Sequence, residues 1–174
     1  MKRQKKVRIT IEKLRQRWTG DVVNQIVVAL NEGRSIEAVL ENVPYNKEDL
    51  SFSDRLDLRG IDLSHQNLRG PWEIREGQRI RVGVNLRNVD LTGAILLWTI
   101  LPRADLRGAL LQDADLRNAE LIYADLSGAD LTGATMEGAW LMDTKFHKAK
   151  VTEAQLESRR NLGQLDFAYY AFEI

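Results

Sequence analysis

The chain has 174 residues, enough for one domain with appendages. Lysine plus arginine and aspartate plus glutamate number 25 each, so no global field draws the protein to nucleic acid or an acidic membrane surface. Cysteine is absent, which excludes disulfides and thiolate chemistry and fits a reducing compartment.

Residues 1–9 form a basic N-terminal tail carrying Lys2, Arg3, Lys5, Lys6 and Arg8. Its plain reading is a solubilising terminus; its sharper reading is a contact with nucleic acid or anionic lipid. No long apolar run follows it as a signal peptide needs, and no stretch approaches a membrane span. The expectation is a soluble, cytoplasmic protein with no membrane partner.

Over residues 10–50 the apolar spacing is helical. Ile11, Leu14 and Trp18 share one face of a first helix. Val22, Val23, Ile26, Val27 and Leu30 stripe a second after Thr19-Gly20, with Gly33 as its end. Ser35 reads as the N-cap of a short third helix with Ile36, Val39 and Leu40, stopped before Pro44. Three short helices cannot bury these stripes among themselves, so they are expected to cap a neighbouring unit. An adaptor for a partner is the alternative.

From residue 51 to 158 the period becomes five. Leu58, Leu63 and Leu68 open it, preceded two residues earlier by Leu56, Ile61 and Gln66. Leu68 and Leu86 then lie eighteen apart, so residues 71–83 are an insertion. Its apolar Trp72, Ile74, Ile80 and Val82 alternate about a central Glu76-Gly77-Gln78, which predicts a hairpin with one apolar and one charged face. The apolar face is expected to lie on the rest of the molecule; a binding role for an inserted loop is the competing reading.

From Leu86 the frame holds through Leu91, Leu96 and Leu101 and then runs without interruption, ADLRG ALLQD ADLRN AELIY ADLSG ADLTG A, over 104–134. It continues with Met136, Leu141, Phe146, Val151 and Leu156. A period of five fits neither a helix face nor a half-buried strand. It demands a coil whose every unit places the same atoms on the axis, with leucine for bulk and alanine where the backbone must come close. Thr99 and Thr144 stand in alanine positions and each needs a partner for its hydroxyl.

These pentads closely resemble the pentapeptide-repeat family, whose signature is A(D/N)LXX. The resemblance covers about residues 56–158. It implies a mainly β fold: a right-handed quadrilateral β-helix with four pentads, about twenty residues, per coil. The helical N-terminal segment would cap it. Residues 152–174 would supply a short C-terminal helix, starting near Thr152, and an aromatic tail with Phe167, Tyr169, Tyr170 and Phe172. Those aromatics either pack on the cap or make a homodimer contact.

Catalytic groupings are missing from the sequence. His65 and His147 lack metal-ligand spacing, no Gly-rich phosphate loop occurs, and Asp105, Asp115, Asp125 and Asp130 recur before the central leucine as turn and surface residues. No enzyme, cofactor or metal is expected. Stacking the chain in coils of twenty, as the resemblance implies, brings Ile100, Pro102, Ile122, Tyr123, Trp140 and Met142 onto one face with Leu97 and Trp98 beside it. This apolar face is either covered by the hairpin, helices or tail, or open as a protein-interaction site. The expected function is a non-enzymatic interaction or scaffold module. The alternative the resemblance implies is a DNA mimic that modulates DNA gyrase or topoisomerase, and the arginines and lysine interleaved among the aspartates weigh against it.

Overall fold

A computed structural model describes residues 15–41, 55–152 and 155. The basic tail, the Ile11–Leu14 part of the first expected helix, most of the C-terminal helix and the Phe167–Phe172 tail lie outside the described residues.

The body is a β-helix whose coil length is set by its backbone ladder. Asn85 bridges Asp105, which bridges Asp125, which bridges Lys145; the ladders through Ile95, Ile100 and Asp90 repeat the same step of twenty. Four pentads therefore make one coil. Within each pentad the residue after the leucine pair of turn positions donates back to the leucine carbonyl, as Ala94 does to Leu91 and Ala129 to Leu126. The residue before that donor has positive φ, at Gly93, Gly108, Gly128, Gly133 and Gly138 but also at Asn88, Asp113 and Asn118. This is the arrangement of a type II turn, in which glycine and asparagine are at ease. The three turn positions and the one bridge residue explain why neither helix nor long strand forms.

The recurrent Asp or Asn before the leucine also has a local cause. Its carboxylate or amide oxygen accepts the backbone N–H two residues on: Asp62 from Ser64, Asn85 from Arg87, Asp90 from Thr92, Asp125 from Ser127, Asp130 from Thr132. A short polar side chain is needed to reach back that far.

Leucines fill the axis. Leu58 through Leu131 at the pentad centres are fully buried, and the alanines between them are too. Ile61, although larger than alanine, is accommodated without exposure in the first coil. Met136 and Phe146 also stay inside. Thr99 donates to the Leu63 carbonyl at 2.7 Å and Thr144 to that of Leu121 at 2.8 Å, so both buried hydroxyls have the partner they require.

Helix α1 (Gly20–Asn31) lies at the open first coil. Thr19 is its N-cap, accepting from the Val22 amide. At its other end Gly33 N–H bonds Leu30 and Arg34 N–H bonds Ala29, a Schellman closure with Gly33 at φ 69°. Val23, Ile26, Ala29 and Leu30 join the leucine core. Polar ties fix the contact: Trp18 Nε1 donates to the Arg59 carbonyl, Asn31 Nδ2 to Asn67, and Gly70 N–H to Asn31 Oδ1. Helix α2 (Glu37–Leu40) is one turn; Ile36 rather than Ser35 is its cap, although the Ser35 hydroxyl still accepts the Glu37 amide. At the far end Thr152 and Gln155 exchange side-chain and backbone hydrogen bonds as a capping box, and Gln155 Nε2 reaches the carbonyls of Leu131 and Ala134.

Strands β1 (Trp72–Arg75) and β2 (Gln78–Arg81) form the inserted hairpin. The first coil shows its size directly: Asp57 bridges Asp90, 33 rather than twenty residues on, so 13 residues are extruded. Two sequence expectations fail here. The turn is the two-residue Glu76-Gly77, both at positive φ as a type I′ turn requires, so the register is shifted by one from a three-residue turn. Trp72 consequently pairs with Arg81 and Ile74 with Arg79, and no face is purely apolar. Nor does the apolar side lie on the body: Ile74 is 78% exposed and Trp72 49%.

Candidate interaction face

The four sides of the β-helix differ in what stands beside the buried leucine. On three of them, through Leu106, Leu111 and Leu116, Asp105, Asp130 and Asp115 are matched by cations. Arg107 forms a bidentate pair with Asp105 and Arg117 with Asp115. Lys150 pairs with Asp130 one coil away at 3.1 Å. The Arg107 hydrogen bond holds the Asp105 carboxyl below its ordinary value against the opposing effect of burial, and Arg117 does the same for Asp115. These are exposed pairs that contribute little to stability. They do offset the charges of Asp105, Asp115 and Asp130.

The side of Leu101, Leu121 and Leu141 is built differently. The bridge position, most often Asp or Asn elsewhere, holds Ile100, Glu120 and Trp140 in successive coils. The position after the leucine holds Pro102, Ile122 and Met142. None of these makes the side-chain hydrogen bond to the amide two residues on that Asp makes, so the turn rests on its backbone bonds. Arg103 N–H to Ile122 and Tyr123 N–H to Met142 supply them. At the corner the Arg103 guanidinium stacks over Tyr123, 4.7 Å from the ring centre.

All six expected face residues therefore come together on three consecutive coils. Trp140 is 58% exposed, Tyr123 45% and Met142 43%; Ile100, Pro102 and Ile122 are half-buried between them. Trp98, 52% exposed, stands on the preceding corner. The hairpin and helix α1 leave this side open. The expected tail contacts Phe167, Tyr169, Tyr170 and Phe172 lie outside the described residues.

Sequence reasoning allowed the hairpin a binding role but did not join Arg79 and Arg81 to the exposed Trp72 and Ile74, because the expected turn length placed the arginines on the opposite face. Among the described residues no cluster of His, Cys, Asp or Glu could hold a metal ion, and no helix is long and apolar enough to cross a membrane.

A family model for pentapeptide repeats matches residues 82–108 and 109–147, with eight copies. The chain belongs to the pentapeptide-repeat family. Its right-handed β-helix is the fold of that family. A pentapeptide repeat protein of the Arabidopsis thaliana thylakoid lumen is similar at 30% identity, over 63% of this chain and 68% of that one, with a TM-score of 0.46. HetL, a pentapeptide repeat protein involved in heterocyst differentiation regulation in Nostoc sp. strain PCC 7120, is 30% identical over 55% of this chain and 40% of its own, at a TM-score of 0.30. Rfr23, from the cyanobacterium Cyanothece 51142, is 29% identical over 68% of this chain and 74% of its own, at 0.28. No curated protein matches this pentapeptide-repeat sequence significantly.

Proposed function

We propose that this pentapeptide-repeat protein is a non-enzymatic interaction module that presents its Leu101 face to a partner protein. One observation carries the reading: Tyr123, Trp140 and Met142 stand open beside Ile100, Pro102 and Ile122 on adjoining coils, while on the other sides Asp105, Asp115 and Asp130 are paired with cations. A contiguous apolar surface on a rigid support is what a protein partner covers. The cytoplasm is the compartment we assign, which the lack of cysteine fits.

The DNA-mimic alternative calls for uncompensated acids in register, and the pairing of Asp105, Asp115 and Asp130 gives it no support.

The test compares the wild type with an Ile122→Asp, Trp140→Asp double variant by pull-down from host lysate, with circular dichroism as the control for folding. Both positions lie outside the leucine column, so the variant is expected to stay folded and to release the protein that wild type retains. Equal capture by the folded variant would remove this face from the function.

A further inference from the structure

We propose that the hairpin face formed by Trp72, Ile74, Arg79 and Arg81 is a docking site for an acidic, apolar segment of a partner protein. This site shares no residue with the Leu101 face and does not depend on it.

No side chain of the two hairpin strands belongs to the buried core of the rod. Its neck closes on itself: a Cβ on Gly70 would lie 2.8 Å from the Val84 amide nitrogen, so the chain leaves and re-enters the coil at nearly the same point. Removing residues 71–83 joins NLRG to VNLRN and restores the five-residue frame. Beyond that neck seven of the eight strand residues are exposed.

The register decides what the face offers. Cross-strand partners share a side, so Trp72 and Ile74 stand with Arg81 and Arg79. Both guanidinium groups stack on the Trp72 ring, each 4.6 Å from its centre. Stacking holds an arginine in place through its flat face and leaves its N–H edges for a carboxylate. Arg81 uses one N–H on the Gly70 carbonyl, 3.2 Å away, which anchors it further. Glu73 is engaged by Arg75 on the opposite face. Among the described residues neither Arg79 nor Arg81 forms an ion pair.

Two positioned cations without counter-anions, beside an exposed tryptophan and isoleucine, fit a ligand with complementary groups. Carboxylates would meet the guanidinium edges in charge-assisted hydrogen bonds, and aliphatic or aromatic side chains would cover Trp72 and Ile74. A nucleic acid would satisfy the arginines and the indole but would set its backbone against Ile74. The protein segment uses all four residues.

The test pans a random peptide display library on the full chain, with counter-selection on the chain lacking residues 71–83. Survivors should combine Asp or Glu with large apolar residues. Their binding to an Arg79→Glu, Arg81→Glu variant, folded by circular dichroism, should weaken at least about tenfold and fall with added salt in the wild type. The proposal is overturned if basic or uncharged peptides survive instead, or if none does. It is equally overturned if the double variant binds the survivors as wild type does, or if oligothymidylate binds in a hairpin-dependent way more tightly than they do.

Discussion

Gly83 sits against the Arg103 carbonyl so closely that a Cβ would lie 1.9 Å from the oxygen and 2.1 Å from the carbon. The contact is where the chain returns from the hairpin beneath the next coil. Backbone, not a flexible side chain, blocks the space. Gly83→Ala should therefore lower stability by about 3 kcal/mol, as overpacking against a fixed ladder does. Gly77→Ala at the hairpin tip meets nothing within 4 Å and pays only for its φ of 77°, about 1 kcal/mol. Urea unfolding of the two variants checks the contrast. Similar losses for both would mean that the neck relaxes.

How much of this was legible in the sequence depends on the range of the interaction. The five-residue frame marked the buried leucines and the need of Thr99 and Thr144 for a partner, and the coil of twenty that the family resemblance implied put the six residues of the Leu101 face together, because a translational repeat turns sequence distance into position. The extruded length of 13 followed from the same frame. Turn geometry did not follow. Whether Gln78 belongs to the turn or to the strand is a difference of one residue, and it moves Arg79 and Arg81 onto the side of Trp72. Contacts outside the repeat were also hidden: Arg17 and Asp57 are 40 residues apart and no period links them.

The leucine column and the threonine plugs should respond differently to mutation. Leu116 is fully buried, and Leu116→Ala should cost about 3 kcal/mol through lost burial and an unfilled cavity. Thr144→Val keeps the volume but removes the donor to the Leu121 carbonyl and should cost about 1 kcal/mol. Thermal or urea denaturation measures both. A Thr144→Val loss as large as that of Leu116→Ala would show that the hydroxyl organises more than its own bond.

Lys148 occupies a turn position with φ 55°, where Asn88 and Asn118 stand in other pentads. Its side chain is exposed. Lys148→Asn should raise stability by about 0.5 kcal/mol, since asparagine tolerates left-handed backbone better than lysine. Lys148→Gly relieves the same strain but frees the unfolded chain, so its gain should be smaller. Equilibrium unfolding of the two variants gives the order, and a glycine gain above the asparagine gain would contradict it.

Asp57 joins the α1 side of the molecule to the first coil and should make that junction acid-sensitive. Burial on its own would raise its pKa, but hydrogen bonds from Arg59 and Arg17, with the charge of Arg17, hold the carboxyl well below the usual range. Arg17 reaches it at 2.7 Å and Arg59 at 2.9 Å. A carboxylate whose folded pKa is depressed contributes stability that is present above its unfolded value, near 3.8, and is lost as pH falls towards the folded one. Stability measured by urea unfolding should thus be flat in this contribution from neutral pH to about pH 5 and decline below about pH 4. Asp57→Asn should lower stability at neutral pH by about 2 kcal/mol, because two guanidinium groups lose their buried anion. It should also flatten the acid limb, since no proton is then taken up at this position. A variant that kept the wild-type slope below pH 4 would assign the acid response to the exposed pairs at Asp105, Asp115 and Asp130 instead.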